Sequence, residues 1–347
     1  MPTHGPRLRL INRSGSANLP AVVYQRPDHV MSERNRRIDP RELKRLSVLQ
    51  PRKTLTAIAT DWTIITAAIA VSEYAGNILV YVIAIAVIAG RMHAFGCMVH
   101  EAAHYRIIRD RKLSDWMSDI LLAWPVLATV DGYRQNHLAH HQHANTDADP
   151  DWVAKRDLAQ FTFPQKLARG IAQLLGYLVA VNSVRDFIHM AKRISKTDRS
   201  TPAYKALRLG FYLSAAVVFT ALGIWREFVL YWLVPFFTFF CLFLYVRSVA
   251  EHFGNMDYGD ELTSSRTVYP YAWEKLFFAP HNINYHLEHH LYPGVPYYNL
   301  PELHAILMRN KAYAEKAHIT RGYTTGLAAE CFAPEAPLLP NQHPASY

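Results

Sequence analysis

The chain has 347 residues, of which 50% are hydrophobic and only 19% are charged. A charged share below the roughly 25% of soluble chains favours a protein with lipid-facing surface. The mean hydropathy of -0.05 excludes a chain that is membrane helix throughout. Three cysteines lie far apart with no CxxC pair, which excludes a disulfide scaffold and a cysteine-based zinc or iron–sulfur site.

The net charge of +9 is concentrated in two blocks, before the first long apolar stretch and between Arg106 and Arg208. Long apolar stretches with almost no charge separate these blocks. This distribution is typical of a membrane protein that follows the positive-inside rule. It does not indicate a basic groove, so no nucleic-acid partner is expected.

Residues 1–53 are predicted to form a cytoplasmic N-terminal segment. Its first residues have no apolar core of signal-peptide length, so we expect no cleaved signal. A short helix is predicted over Asp39–Leu49, with Asp39 as its cap and Pro40 at its first position, and Pro51 ends it. Its leucines alternate with arginines and lysines, which indicates a helix lying on the membrane surface.

Four apolar segments are predicted to span the membrane. They are Thr54–Val71, Ile78–Val99, Leu209–Trp225 and Phe228–Val246. Each pair has a short link, and basic residues precede the first and third spans, so we expect two hairpins that enter and leave on the cytoplasmic side. Two further runs, Ile120–Val130 and Ile171–Val181, are too short to cross. The predicted fold class is an all-α integral membrane protein, with a cytoplasmic helical cap that carries a di-metal site.

The predicted boundaries follow from these segments. The hairpins are 54–104 and 209–252, the cap comprises 105–208 and 253–321, and 322–347 is a poorly ordered tail. Continued as helix to His104, the second span is about 40 Å long, and the fourth, continued to His252, about 37 Å. Both exceed the roughly 30 Å hydrocarbon core, so their ends project into the cytoplasm. We therefore expect His100, His104 and His252 in one layer, with both chain termini and the active site cytoplasmic.

Histidine is over-represented, with 18 residues, most of them clustered. The first cluster, HEAAH at 100–104, places two imidazoles four residues apart on one helix face. Two later clusters, HLAHH at 137–141 and HLEHH at 286–290, share one spacing. On a helix, the first and last histidines of each trio share a face and the middle one lies about 100° round. Each trio can therefore send its end members to one metal and its middle member to a second.

Imidazole suits zinc, copper, nickel and iron. A catalytic zinc needs only three protein ligands, so eight histidines are too many for one such ion. A pair of metals is the natural occupancy.

The motifs HEAAH, HLAHH and NYHLEHHLYP resemble the three histidine boxes of the membrane fatty acid desaturase and hydroxylase family, whose members bind two irons. The resemblance runs from about Asp39 to Leu307 and includes HANTDADPDW after the second box. It implies iron ligation by His100, His104, His137, His140, His141, His286, His289 and His290. Members also use a histidine at the end of the fourth span, which here matches His252. Where members with an acyl-CoA substrate have an Asn that holds a metal-bound water, this chain has Ser248.

Several residues near the boxes have two open interpretations. Four carboxylates are candidates for accepting the free N–H of a ligating imidazole, the alternative being solvated loop charge: Glu101, Glu288, Asp147 and Asp149. His143 and His281 are either supporting or replacement ligands, or structural. For His93 a packing or hydrogen-bonding role is expected.

The resemblance implies an O2-dependent oxidation of a fatty acyl chain in an apolar tunnel, with desaturation as the expected outcome. Hydroxylation of an acyl or carotenoid substrate and oxidative decarboxylation of a free fatty acid to a terminal alkene remain alternatives. HEAAH also fits the HExxH of zinc metalloproteases, with Glu101 as general base, but that leaves the two trios unexplained. A non-enzymatic metal carrier is expected to have its ligands along a transmembrane path, whereas these histidines are predicted to cluster at one face of the membrane.

The sequence has no GxGxxG turn, four-cysteine set or HPGG-type haem segment. A separate electron donor is therefore implied, either a ferredoxin or cytochrome b5 with its reductase. Four basic residues are candidates for receiving an acidic carrier, the alternative being a solvated face: Arg106, Arg109, Arg111 and Lys112.

Overall fold

The computed structural model describes residues 38–188 and 200–332, and most of these residues are helical. The first half contains α1 (Pro40–Leu46), α2 (Pro51–Ala75), α3 (Ile78–Ala103), α4 (Arg111–Ser118), α5 (Val130–His143), α6 (Pro150–Lys155), α7 (Leu167–Leu178) and α8 (Val181–Ile188). The second half contains α9 (Pro202–Leu222), α10 (Trp225–His252), α11 (Ala272–Phe277), α12 (His286–Leu291), α13 (Leu300–Leu307), α14 (Lys311–Lys316) and α15 (Ala328–Phe332). Single π or 3₁₀ turns link several of them.

Two short strands depart from the all-α prediction. Strand β1 (Thr267–Tyr269) pairs in parallel with β2 (Ile319–Arg321), with Thr267 opposite Ile319. The pairing fastens the segment before α12 to the segment after α14. The prediction that the protein is mainly helical is confirmed.

Four helices, α2, α3, α9 and α10, are long and apolar enough to cross a membrane, which confirms the predicted number of spans by length and composition. Each is longer than its apolar core because its caps lie outside that core. For example, α2 begins at Pro51, whose missing N–H costs nothing in the first turn, and ends at Ala75, followed by the C-cap Gly76 in the left-handed region. Helices α7 and α8 together pass the same test but are bent by 76°.

Helix α3 is the centre of the protein and α9 its most exposed span. Over half of the apolar window of α3 is buried, whereas none of that of α9 is. Side chains such as Leu213 and Val217 on α9 are 58% and 68% exposed. Such an apolar outer surface fits contact with lipid. Charges inside the first hairpin pair with each other, Arg91 Nη1 lying 3.0 Å from Asp61 Oδ1.

Helix α10 contains two π turns on either side of Pro235, at Val229–Leu233 and Phe236–Phe240. Proline has no N–H to donate, so the helix accommodates it with i→i+5 bonding around that position. Regular α-helical geometry returns at Cys241 and continues to His252.

The N-terminal helix α1 differs from its predicted setting. Leu46 is 1% exposed and packs in a cluster with Leu287 and Leu303, so this side of α1 contacts protein. Arg45 pairs with Glu302 at 2.6 Å on the outer side. Residues 1–37, most of the predicted N-terminal segment, lie outside the described residues.

The predicted tail from residue 322 is corrected for its first part. Residues 322–332 form a π turn and α15, and Tyr323, Leu327 and Cys331 are buried against α10. Glu330 pairs at 2.7 Å with the buried Arg266, whose guanidinium also donates to carbonyls at the C-terminal end of α10. Residues 333–347 lie outside the described residues.

Candidate metal centre

The histidine-bearing parts of four helices, α3, α5, α10 and α12, lie next to one another. His100 lies in the last turn of α3, His104 caps that helix, and His252 is the last residue of α10. The second trio lies in the last two turns of α5, and the third forms most of α12. The expectation that both hairpins deliver histidines to one layer agrees with this arrangement.

The nine predicted histidines form two groups, and within each group one ring nitrogen from every histidine lies within 4.8 Å of those of the others. The five-histidine group contains His100, His104, His137, His141 and His289. The four-histidine group contains His140, His252, His286 and His290. The end members of the α5 trio join one group and its middle member the other, and the α12 trio is divided in the same way. This is the division that helical geometry predicts for the two trios.

The distances between the imidazole nitrogens match those around a shared ion. In the five-histidine group, His141 Nε2 lies 3.0 Å from His137 Nε2 and 2.9 Å from His289 Nε2. In the four-histidine group, His286 Nε2 lies 2.8 Å from His252 Nε2 and 3.0 Å from His290 Nε2. Two nitrogens at about 2.1 Å from one ion, at right angles, are about 3.0 Å apart.

The environment keeps these rings in the form that binds metal. Burial, reinforced by the neighbouring histidines, holds the pKa of His137, His286 and His289 well below the ordinary value. Burial, together with Arg106 and Arg134, lowers the pKa of His104 to about 3. These imidazoles are therefore neutral at pH 7, with a lone pair available for a metal.

His100 supplies a direct test of whether a metal fits. Both of its ring nitrogens are buried without a hydrogen-bond partner among the described residues. Leaving a buried polar group unsatisfied costs about 1–3 kcal/mol, and a metal ion bound to one nitrogen would remove part of that cost. The residues present thus fit a pair of metal ions held by imidazoles.

Asp149 is the predicted carboxylate that does contact a box histidine. Its Oδ2 lies 2.7 Å from Nδ1 of His140, and the side chain is fully buried. Burial raises the pKa of Asp149, but the hydrogen bond and charge of His140, together with backbone hydrogen bonds from Asn145 and Trp152, outweigh burial, and the pKa lies below the ordinary value. The carboxylate therefore accepts Nδ1–H, which leaves Nε2 of His140 free to face the four-histidine group.

The other three predicted carboxylates have different surroundings. Glu101 Oε1 lies 3.7 Å from His100 Nδ1, and its Oε2 accepts a hydrogen bond from Tyr297 N. Asp147 is 86% exposed and pairs with an arginine, and Glu288 bonds a histidine outside both groups. For Asp147 and Glu288 the predicted contact with a ligating imidazole is therefore corrected.

Glu251 is a neighbour of the site that the sequence analysis missed. Its Oε1 lies 3.4 Å from His286 Nδ1 and 2.6 Å from Arg247 Nε. Two charged residues four positions apart, at the end of an otherwise uncharged span, were the available signal. Ionisable residues in such segments are rare and are functional by default.

The three histidines with open roles lie outside both groups. His93 is fully buried and its Nδ1 lies 2.8 Å from Phe277 O, in line with the expected hydrogen-bonding role. His281 Nε2 lies 2.7 Å from Asp61 Oδ2, which favours the structural interpretation. His143 is partly exposed near the end of α5.

The hydroxyl of Ser248, one turn before His252, accepts a hydrogen bond of 2.8 Å from Lys155 Nζ. Lys155 also pairs with Asp151 at 2.6 Å. The departure from the family pattern at Ser248 is thus accompanied by a partly buried lysine next to the four-histidine group.

Comparison with known proteins agrees with this geometry. The family model for fatty acid desaturases matches residues 76–323, well over half of the chain. The chain belongs to the fatty acid desaturase family. The chain is 25% identical over 292 residues to the dihydrorhizobitoxine desaturase of Bradyrhizobium elkanii, covering 79% of this chain and 81% of that protein. It is 25% identical over 221 residues to the sn-1 oleoyl-lipid 12-desaturase of Arthrospira platensis, covering 58% and 60%.

Membership confirms the resemblance that the three boxes indicate. As a member of this family, the protein is an oxidoreductase of lipid metabolism, with helices apolar enough to span a membrane and histidine clusters that could hold metal.

Proposed function

We propose that this protein is a membrane di-iron enzyme that uses O2 to insert a double bond into a fatty acyl chain. The nine histidines are its iron ligands, five for one ion and four for the other. The observation that carries the proposal is the meeting of all nine in two groups at the ends of four helices. An imidazole donor set also suits other metals, and family membership favours iron.

Bound in these groups, two irons would supply an oxidant able to take hydrogen from an unactivated carbon. The residues of the chain hold the ligands in place: Asp149 fixes the ring of His140, and Glu251 lies beside that of His286. Buried rings and the packed ends of α3 and α10 exclude water from the reacting carbon. The acyl chain must be held to about 1 Å, since larger errors cost about 100-fold in rate.

The substrate is an acyl chain that reaches the site through an apolar tunnel between the spans and the cap. The relatives support desaturation over hydroxylation or decarboxylation, because both carry the name desaturase. The zinc metalloprotease alternative is disfavoured because Glu101, its required general base, is buried and bonded to Tyr297 N.

The proposed topology places the chain termini and the metal centre in the cytoplasm. Arg52 and Lys53 in the first turn of α2, and Arg208 in α9, support this orientation. The proposed division remains an N-terminal segment, two hairpins and a cap in two parts.

The test is to assay membranes that contain the protein with fatty acids, acyl thioesters and acyl lipids of graded length, with reductant and O2. Products are identified by mass spectrometry, and metals are counted on the purified protein. We expect two irons per chain and a product two hydrogens lighter. A hydroxylated product or a terminal alkene would replace desaturation by the corresponding alternative, and a single zinc per chain would contradict the di-iron proposal.

A separate acidic electron carrier is proposed to dock near the exposed Arg109 and Lys112, in the segment that follows His104. We expect the double change Arg109→Glu and Lys112→Glu to slow reduction by the carrier about tenfold at low salt without changing iron content. Stopped-flow reduction measures the rate. Arg226→Glu, at the opposite end of α10 from His252, is the control, and equal rates in both variants would contradict this docking surface.

A further inference from the structure

Glu288 lies in the middle of the third histidine cluster and is fully buried. On a helix it lies about 200° round from His286 and about 160° from His290, so it points away from the side that carries the histidines. Its carboxylate therefore faces the protein behind α12 and has no direct part in holding metal.

Three donors from three separate elements converge on this carboxylate. Thr267 Oγ1 of β1 donates at 2.5 Å, Tyr313 Oη of α14 donates at 2.5 Å, and Nδ1 of His304 of α13 makes a short hydrogen bond. An ionised carboxylate only accepts hydrogen bonds, so it can satisfy all three donors at once.

A second layer fixes the orientation of His304. Nδ1 of His304 faces Glu288, and its Nε2 makes a 2.5 Å hydrogen bond with Tyr269 Oη on the other side of the ring. The network thus joins α12 to β1, α13 and α14, elements that carry none of the grouped histidines. The network therefore holds the side of α12 that lies opposite its three grouped histidines.

We propose that Glu288 is a positioning residue that sets the rotation of α12 and so aims His286, His289 and His290 at the two metal groups. The inference rests on the proposed role of these histidines as metal ligands. In this role Glu288 acts on the side of α12 that faces away from the two metal groups.

A small rotation of α12 displaces the ligand atoms strongly because ring nitrogens lie about 6 Å from a helix axis. A rotation of about 10° moves such an atom by about 1 Å, whereas metal–ligand distances hold within about 0.2 Å. Helix α12 supplies one ligand to the five-histidine group and two to the four-histidine group, so a rotation perturbs both groups together.

The experiment uses the full-length protein, stripped of metal and titrated with Co²⁺, whose optical spectrum reports its ligand geometry. In Glu288→Gln an amide NH2 replaces one carboxylate oxygen. Because this NH2 is itself a donor, it cannot accept the hydrogen bonds of the network, and we expect about tenfold weaker Co²⁺ binding with altered bands for both ions. The control is Glu302→Gln on α13, whose exposed side chain pairs with Arg45, and it should bind as the unchanged protein does.

A purely structural role predicts a lower melting temperature with an unchanged Co²⁺ spectrum, which would overturn the inference. If Glu288→Gln does not fold, Tyr313→Phe removes one of the three donors without removing the charge. A shifted spectrum in that variant supports the inference, and an unchanged one contradicts it. Unchanged protein that binds fewer than two Co²⁺ ions contradicts the proposed function itself, before any variant is compared.

Discussion

The variant His137→Ala should lose metal from the five-histidine group and lower turnover by at least about 100-fold. His137 is 6% exposed and its Nε2 lies 3.0 Å from that of His141. Removing one imidazole leaves the remaining ligands of that group with an incomplete and distorted site. Metal analysis of the purified protein and product formation per hour measure the two effects.

His143→Ala is the matched control, because His143 lies on the same helix but outside both groups. It should keep two irons per chain and normal turnover. Full iron content and full activity in His137→Ala would show that the assignment of ligands is wrong.

Asp149→Asn should weaken metal binding by the four-histidine group about 10- to 100-fold. Asp149 makes three kinds of contact: its Oδ2 accepts from His140 and from the backbone N–H of Asn145, and its Oδ1 caps α6 by accepting from the backbone N–H groups of Asp151 and Trp152. Asparagine caps helices about as well as aspartate, so the variant keeps the cap and removes the charged acceptor at Oδ2 that faces His140 and Asn145 N. Iron titration, or the Co²⁺ spectrum, should show one ion affected and the other unchanged.

The exposed Asp147, two residues earlier in the same loop, gives the control Asp147→Asn. It should leave metal binding unchanged. Equal metal binding by the two variants would mean that the contact of Asp149 with His140 does not support the metal group.

The sequence was sufficient to predict the parts of the molecule that depend on local periodicity. Apolar runs of span length predicted α2, α3, α9 and α10, and the spacing within the two trios predicted how their histidines divide between two groups. Both predictions need only the geometry of one helix at a time.

Contacts between distant segments were beyond such reasoning. His304 is isolated in the sequence, yet it is the histidine bonded to Glu288, because α13 is folded back on α12. In the same way, the segment around Tyr323 is polar and proline-rich in its wider context, and only the packing on α10 orders it. Burial against a partner that lies in another element, 16 residues away for His304 and Glu288, leaves no local pattern to detect.

The interleaving of the two histidine groups bears on how the protein matures. Each group needs residues from α5 and α12 as well as from the end of a long span. The five-histidine group is complete only at His289 and the four-histidine group only at His290, so a nascent chain that stops before α12 has neither group complete. Metal loading of the proposed site would therefore wait for the synthesis of α12, and both groups would be completed by the same step of assembly.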